Sequence, residues 1–278
     1  TGYFAYKTEG LDTAHLNFGS SNAQTITLSF YVKSSLTGSF GVTVANDALN
    51  RSFPSSYTIN SANTWERKSI TVTGDTSGTW ATTTAAAFYL LWDLGCGSDV
   101  KGTANTWAGS DFRGGATGTI NVCATSSATW QITGVQLEVG DTATDFDHRI
   151  FGDELLRCQR YYQETSNATN YSMVGDGTCQ NSVVSILFDY LCEMRTSPSI
   201  SALGTNGSSS WYIQSGSTTI STASAAFNGG WAAGTNSQRS WMDWTGISGQ
   251  TASHTAAVYR NNQSTSNKNG CLAFDAEL

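Results

Sequence analysis

The stretch Trp130–Gln163, WQITGVQLEVGDTATDFDHRIFGDELLRCQRYYQ, decides how the rest of the chain is interpreted. Apolar and polar residues alternate on both sides of Gly134, which is typical of a half-buried strand. The parity of the apolar positions changes at this glycine, from Trp130 and Ile132 before it to Val135, Leu137 and Val139 after it. A β-bulge at Gly134 would produce this change.

A short helix is predicted after this strand. A polar, acidic connector runs from Asp141 to Asp147. Beyond it, Leu155, Cys158 and Tyr162 fall at helical spacing, with Asp153 before them as a candidate N-cap. We therefore expect one helix inside Asp153–Glu164, at the junction of two β-domains.

The predicted fold class is all-β: a jelly-roll-like β-sandwich, then a second, smaller β-sandwich, joined through the short helix. The chain has 278 residues, of which 39% are hydrophobic and 12% aromatic, enough for two buried cores. The predicted boundaries are 1–143 for the first sandwich, which is expected to be like a carbohydrate-binding module, 144–157 for the connector and start of the helix, and 158–278 for the C-terminal sandwich.

Strands are predicted wherever the period-2 alternation recurs. Turn signals at 36–39, 74–78 and 113–115 separate the strands of the first domain. The inward positions there are Ile26, Leu28, Phe30, Val32, Phe40, Val42, Val44, Ile70, Val72, Phe88, Leu90, Trp92 and Leu94. In the second domain they are Val184, Ile186, Phe188, Tyr190, Trp211, Ile213, Leu272, Phe274, Ala276 and Leu278. Segments 203–210, 221–230 and 261–270 show neither the period of 2 of a strand nor the period of 3.6 of a helix. They are predicted to be loops.

Charge and hydropathy exclude some function classes. Only 13% of residues are charged, and the net charge is −7 with a pI of about 4.8. Affinity for nucleic acid depends on Lys and Arg neutralising phosphates, so nucleic-acid binding is not expected. No apolar run in the sequence is long enough to span a bilayer, so membrane insertion is not expected either.

The junction also resembles a known module. The phrases ITGVQLEVG (132–140) and CQRYY (158–162) are similar to those of a virion module found in bacteriophage tail-fibre and receptor-binding proteins, notably of marine and cyanobacterial phages. The resemblance covers nearly the whole chain, including TLSFYVKSSLTG (27–38), MRTSPSIS (194–201) and AFDAEL (273–278). Cys96 departs from it, since a small residue is usual at that position.

The resemblance carries expectations about location and partners. It implies a homotrimer, because the similar modules form trimeric fibre tips, on the surface of a phage particle assembled in the cytoplasm of the bacterial host. It also implies an N-terminal region before Thr1 that would attach the chain to other virion proteins. The expected ligand is a host-surface glycan or protein.

The six cysteines are expected to be free thiols. They are Cys96, Cys123, Cys158, Cys179, Cys192 and Cys271, and none has the spacing of a zinc or redox site. A virion protein assembles in a reducing cytosol, where cysteine behaves as a small buried hydrophobe. A Cys179–Cys192 bridge is the alternative, if the two face each other across a hairpin.

Catalytic chemistry is sparse in this sequence. The three histidines are scattered, and no catalytic triad, P-loop or dinucleotide fingerprint is present. Asp93, Asp99 and Asp111 could form an acid/base pair for glycoside cleavage, but a solvated rim or a structural Ca²⁺ site is the more ordinary interpretation. We therefore expect no enzyme activity and no cofactor. The sequence indicates no metal site.

Aromatic residues provide the stronger functional signal. Several tryptophans lie beside glycine and polar residues, where an indole could stack on a sugar ring while neighbouring polar groups bind its hydroxyls. Burial in a core is the competing interpretation for each of them. The candidate ligand-binding residues are Trp107, Trp231, Arg239, Trp241, Asp243 and Trp244.

Three interpretations of function follow from the sequence, in order of preference. The favoured one is a non-catalytic phage appendage, a tail fibre or tail-spike-like adhesin, in which several copies attach avidly to the host surface. The alternative is a structural protein that decorates a capsid or fibre and buries its aromatics between subunits. A carbohydrate-binding module of a depolymerase is a third, less favoured interpretation.

Overall fold

The computed structural model describes residues 2–165, 173–180, 183–203, 211–215, 218–221, 226–230, 236–245, 254–260 and 271–277. Strands account for 47% of the structure and helices for 10%, in several antiparallel sheets. The predicted all-β sandwich class is confirmed. The chain divides into two compact units, Thr1–His148 and Arg149–Glu277, and each is described separately below.

The first unit contains seven strands within residues 2–148. They are β1 (Tyr3–Glu9), β2 (Ile26–Ser34), β3 (Gly38–Asn46), β4 (Ser52–Ile59), β5 (Glu66–Val72), β6 (Ala86–Asp93) and β7 (Trp130–Val139). One sheet has the order β1-β6-β3-β4 and the other the order β5-β2-β7, and all neighbouring strands are antiparallel. The chain changes sheet at every connection except the β3–β4 hairpin, which makes the sandwich jelly-roll-like.

The core of this sandwich lies between the two sheets. The inward residues predicted from the alternation on β2, Ile26, Leu28, Phe30 and Val32, are fully buried. They pack against the predicted inward residues of β3, β5 and β6 in one hydrophobic cluster. Tyr31, between the buried Phe30 and Val32, points to the opposite face of β2 and is exposed, as the two-residue period of a strand predicts.

The predicted bulge at Gly134 is present. Gly134 has φ +57°, and the β2–β7 register shifts between Ser29, which faces Gln136, and Tyr31, which faces Thr133. Leu137 packs against the core as expected. Val135 and Val139 are exposed, so the inward positions predicted for them are wrong: Val135 is an extra residue of the bulge, and Val139 ends the strand.

The acidic connector after β7 is bound to the outer face of the β5-β2-β7 sheet. Thr71 Oγ1 donates to the carbonyl of Asp141 at 3.2 Å, and the amide of Asp147 donates to Gln136 Oε1 at 2.8 Å. Arg67 donates to the carbonyl of Thr144. The connector therefore belongs to the first unit, and the division between units after His148 falls inside the segment 144–157.

Two short α-helices occur in the described residues: α1 (Gly10–Thr13) in the first unit and α2 (Phe151–Gln159) in the second. The predicted helix exists, but its predicted bounds are wrong. It begins at Phe151, and Ile150 holds the N-cap position that was predicted for Asp153. Asp153 lies in the first turn, where the positive end of the helix dipole stabilises a carboxylate. Tyr162 lies beyond the helix, in a strand.

The described part of the second unit contains ten strands. They are β8 (Tyr162–Glu164), β9 (Met173–Gln180), β10 (Val183–Asp189), β11 (Ser199–Leu203), β12 (Trp211–Ser215), β13 (Thr218–Ser221), β14 (Ala226–Gly230), β15 (Arg239–Thr245), β16 (His254–Arg260) and β17 (Cys271–Asp275). Seven form a sheet of order β13-β12-β16-β9-β10-β15-β14, and three form a sheet of order β11-β17-β8.

One predicted loop of this unit is partly wrong. The segment 221–230 includes β14, whose Phe227 lies opposite Trp244 and whose Gly230 lies opposite Met242 on β15. Cross-strand pairing forms this strand although its own sequence has no clear period. The remainder of the predicted loops, at 204–210, 222–225 and 261–270, lies outside the described residues.

The second core lies between the two sheets of this unit. Val184, Ile186, Met242 and Trp244 from the larger sheet pack against Leu272 and Phe274 from the smaller one. Phe274 stacks on Phe188 with ring centroids 4.8 Å apart. One face of the seven-stranded sheet is thereby buried.

No disulfide joins any of the six cysteines. The alternative Cys179–Cys192 bridge is wrong. Cys179 is buried in the second core and lies opposite Val184 on β10. Cys192 lies beyond the end of β10, where its sulfur is 3.8 Å from the carbonyl oxygen of Leu156 on α2.

Candidate functional site

Strand β15 places three of the predicted ligand-binding residues on one face. Its odd-numbered side chains, Arg239, Trp241 and Asp243, alternate with Ser240, Met242 and Trp244, which are all fully buried. Since successive side chains of a strand point to opposite faces, the first three lie on the face away from the core. We call this face, with its neighbours on β10, the Trp241 face.

Trp241 provides the exposed apolar surface of this face. Its side chain is 39% exposed, and it lies directly opposite Leu187 on β10. The indole and the leucine together form an apolar strip across two strands. Such a strip can contact the C–H face of a sugar ring or another flat apolar group.

Polar groups flank the apolar strip on one side. Asp243, which is 7% exposed, lies opposite Ser185, Ser185 lies opposite Thr178 on β9, and Thr178 lies opposite Thr255 on β16. Neighbouring strands are about 4.8 Å apart, so these residues form a row of one carboxylate and three hydroxyls. The three hydroxyls can exchange hydrogen bonds with a polyhydroxylated ligand, whereas the Asp243 carboxylate is buried.

An ion pair between Arg239 and Asp189 borders the apolar strip on the side opposite the polar row. Arg239 Nε lies 3.2 Å from Asp189 Oδ1, and the two residues are cross-strand partners. Both side chains are largely exposed, so the pair contributes about 0–1 kcal/mol to stability. Its main consequence is to hold the guanidinium along the Trp241 face, where its remaining N–H groups can donate.

Trp244 does not belong to this site. Its side chain is fully buried and meets Trp211 edge-on, with ring centroids 5.3 Å apart. The ligand-binding role predicted for Trp244 is therefore wrong, and the residue belongs to the second core. The reason is parity: Trp244 shares its face with Met242 rather than with Trp241.

Trp107 lies in the first unit and is part of a different cluster. Its Nε1 donates to the carbonyl of Thr73 at 2.7 Å, and its ring packs beside Phe53 and Trp80 in the first core. The guanidinium of Arg51 lies 5.9 Å from the ring centroid. Trp107 therefore belongs to the core of the first unit, whereas the β15 residues belong to the second unit. Trp231, the remaining candidate, lies outside the described residues.

The carboxylates considered for glycoside cleavage do not form a pair. Asp93 is fully buried and bonded to Lys101, and Asp111 is bonded to Arg113. Asp99 is exposed in the short 3-10 turn Ser98–Val100. Over the described ranges, no group of three or more His, Cys, Asp or Glu side chains could hold a metal ion.

The sequence did not reveal the β10 and β9 members of the Trp241 face. The alternation of Val184 and Ile186 identifies Ser185 and Leu187 as outward residues. It does not say which outward residues of another strand they face, because that depends on the register of strands distant in sequence. Thr178 and Thr255 were missed for the same reason.

The described part of the first unit contains a cavity that the sequence did not indicate. Its volume is about 180 Å³, and it is lined in part by Phe18, Trp80 and Phe88. Trp80 Nε1 already donates to the carbonyl of Ser77 at 3.1 Å, and Ser20 Oγ donates to the carbonyl of Asn17 at 2.7 Å. With these donors engaged internally, the cavity offers a ligand little polar recognition.

Comparison with models of known protein families gives no match, and comparison with curated proteins gives no significant match. Among the helices in the described parts of the chain, none is both long and apolar enough to cross a membrane. The Trp241 face and the residues of the junction are therefore the features of the chain that bear on its function.

Proposed function

We propose that this chain is a non-catalytic part of a bacteriophage virion appendage, a tail fibre or tail-spike-like adhesin, and that the Trp241 face binds a host-surface saccharide. The observation that carries the proposal is the exposed indole of Trp241, which lies on one sheet face beside Leu187 and Arg239. A flat apolar surface bordered by a guanidinium and by the hydroxyls of Ser185 and Thr178 suits a sugar ring with its hydroxyls.

The virion context of the proposal comes from the residues of the junction. ITGVQLEVG and CQRYY are similar to phage tail-fibre and receptor-binding modules. The partners proposed on this basis are a host-surface glycan or protein, other virion proteins and further copies of this chain. Net charge −7 agrees with a ligand other than nucleic acid.

Saccharide binding can be tested on an array of purified bacterial surface polysaccharides. Trp241→Ala should lower the affinity for the bound polysaccharide about tenfold, because one stacking contact contributes about 1–1.5 kcal/mol. Trp65→Ala is the matched control, since Trp65 is a similarly exposed tryptophan (45%) in the first unit. The control should bind like the parent chain.

Two results would overturn the proposed site. One is a folded Trp241→Ala variant that binds as tightly as the parent chain. The other is a parent chain that binds no polysaccharide on the array, which would favour the alternative, a structural protein that decorates a capsid or fibre. Release of reducing sugar from a bound polysaccharide would instead indicate a depolymerase.

A further inference from the structure

The charges on the Trp241 face are unbalanced. Three carboxylates point outward from the described strands of the seven-stranded sheet, those of Asp176 on β9, Asp189 on β10 and Asp243 on β15. Among the described side chains of this sheet, Arg239 is the only cation, and it is paired with Asp189. One guanidinium against three carboxylates leaves the charges of Asp176 and Asp243 without a compensating cation.

Asp176 is the exposed carboxylate of the two. It precedes Gly177, the cross-strand partner of Ile186, so the next residue beside it on β10 is Leu187. On its other side it lies opposite Ala257 on β16. Both flanking side chains are apolar, and in the described parts of the chain no hydrogen bond or ion pair engages the Asp176 side chain. Its charge is therefore available to a ligand that lies on the apolar strip.

Asp243 adds a negative charge that is largely shielded from solvent. The residue is 7% exposed, and among the described residues its side chain has no hydrogen bond or ion pair. Burial of a carboxylate without a partner is unfavourable, and a buried charge is screened less than an exposed one. A cation bound on the Trp241 face would offset this cost through its charge, without touching Asp243.

The strand spacing places a ligand on the apolar strip beside Asp176. Adjacent strands are about 4.8 Å apart, so Asp176 lies about 5 Å from Leu187 and about 10 Å from Trp241 across the sheet. A sugar ring stacked on Trp241 and Leu187 therefore has the substituents of its β9 side within reach of the Asp176 carboxylate. Arg239 lies two residues from Trp241 along β15, on the side away from Asp243, so the cation and the uncompensated carboxylates occupy different parts of the face.

We propose that the saccharide bound at the Trp241 face carries a free amino group, whose ammonium contacts Asp176. The inference rests on the proposed saccharide function and names the chemical class of the ligand. An ammonium has three donors, and a carboxylate accepts them in charge-assisted hydrogen bonds. An acidic sugar would instead bring a like charge next to Asp176 and Asp243, which is unfavourable. An N-acetylated sugar lacks the charge and gains less from Asp176.

Two oligosaccharides of equal length test this class. One is an oligomer of glucosamine, and the other is the same oligomer with every amino group acetylated, which removes the charge and keeps the sugar rings. Calorimetric titration of the full 278-residue chain, in a buffer that keeps the amine protonated, should give about tenfold higher affinity for the free amine. Raising the ionic strength should reduce this difference, because salt screens exposed charges.

Substitutions locate the charge that matters. Asp176→Asn should remove the preference, so that the two oligosaccharides bind with similar affinity. Asp12→Asn is the matched control, because Asp12 is an exposed aspartate of α1 in the first unit and its loss changes the net charge equally. This control should keep the tenfold preference. Trp241→Ala should weaken the binding of both oligosaccharides.

The outcomes separate the inference from the function on which it rests. Trp241-dependent binding that is equally tight for the acetylated oligomer overturns the inference and leaves the saccharide proposal standing. A preference that survives Asp176→Asn overturns the role of Asp176. Polysaccharides bound on the array, without binding of either oligosaccharide, overturn the free amine as the ligand group. A parent chain that binds neither oligosaccharide and nothing on the array overturns both proposals.

Discussion

Lys101 Nζ lies 2.7 Å from Asp93 Oδ2, and both side chains are buried. Asp93 Oδ1 accepts the backbone amides of Gly95 and Cys96 at 2.9 and 2.7 Å. Lys101 also donates to Thr119 Oγ1 at 2.6 Å. The pair therefore ties the end of β6 to the long segment between β6 and β7, and its carboxylate is structural.

Removing one member of this pair should strongly destabilise the first unit. Lys101→Met leaves the Asp93 carboxylate buried without its cation, which typically costs about 3–5 kcal/mol. Urea unfolding followed by tryptophan fluorescence measures the loss. Lys7→Met is the control, because its pair with Asp47 is more exposed and should contribute less than about 1 kcal/mol. Equal effects of the two substitutions would contradict the structural role of Lys101.

A close backbone contact in the same unit gives a second prediction. Gly115 and Gly118 both have positive φ, +75° and +88°. A Cβ on Gly115 would lie 2.5 Å from Gly41 Cα, whereas a Cβ on Gly118 would have no atom within 4 Å. Gly118→Ala should cost about 1–2 kcal/mol from backbone strain alone.

Gly115→Ala should cost clearly more than Gly118→Ala, because β3 backbone must move as well. Thermal unfolding of the two variants measures the difference, and the positive φ that they share makes Gly118→Ala a matched control. Similar melting temperatures for the two variants would show that β3 and the segment at Gly115 do not approach this closely.

The sequence predicted the β-architecture well because each strand carries a local signal. Leu28 and Phe30 alternate with polar neighbours, and this period alone identifies the buried face of β2. Gly134 marks a bulge through its own freedom to adopt positive φ. These features depend on residues close together in the chain, so no tertiary information is needed to recognise them.

The candidate site was only partly predictable. Along β15, apolar residues occupy both faces, with Trp241 on one side and Met242 and Trp244 on the other. Which face is buried depends on the sheet β11-β17-β8, whose residues are distant in sequence. Sequence alone therefore grouped Trp241 with Trp244, although one is exposed and the other is in the core.

The helix bounds show a similar limit. Leu155 and Cys158 have the spacing of a helix, and Asp153 is a residue type that favours N-caps. The same carboxylate is also favourable inside the first turn, and the structure places it there. Local propensity predicted the presence of the helix but placed its N-cap three residues too late.

We expect the turn between β4 and β5 to be stabilised by the ionised carboxylate of Glu66 and to lose that stabilisation in acid. Its Oε1 accepts the amides of Asn60 and Ser61 at 2.8 and 2.7 Å, and its Oε2 accepts from Lys68 Nζ at 2.6 Å. The hydrogen bond from Lys68, followed by those from the backbone, lowers the pKa of Glu66 from 4.5 to about 2. These bonds require the ionised carboxylate.

The sign of the effect follows from this lowered pKa. The stabilisation by ionised Glu66 is complete above pH 4.5, the ordinary pKa of its carboxyl, and is lost as the pH falls through about 2. The difference in unfolding free energy between the parent chain and Glu66→Gln should be constant above pH 4.5 and shrink below it. In NMR titrations, the Ser61 amide shift of the parent should change with a midpoint near pH 2, and this step should be missing in Glu66→Gln. A midpoint near 4.5 would show that the Lys68 and backbone bonds do not hold the carboxylate in solution.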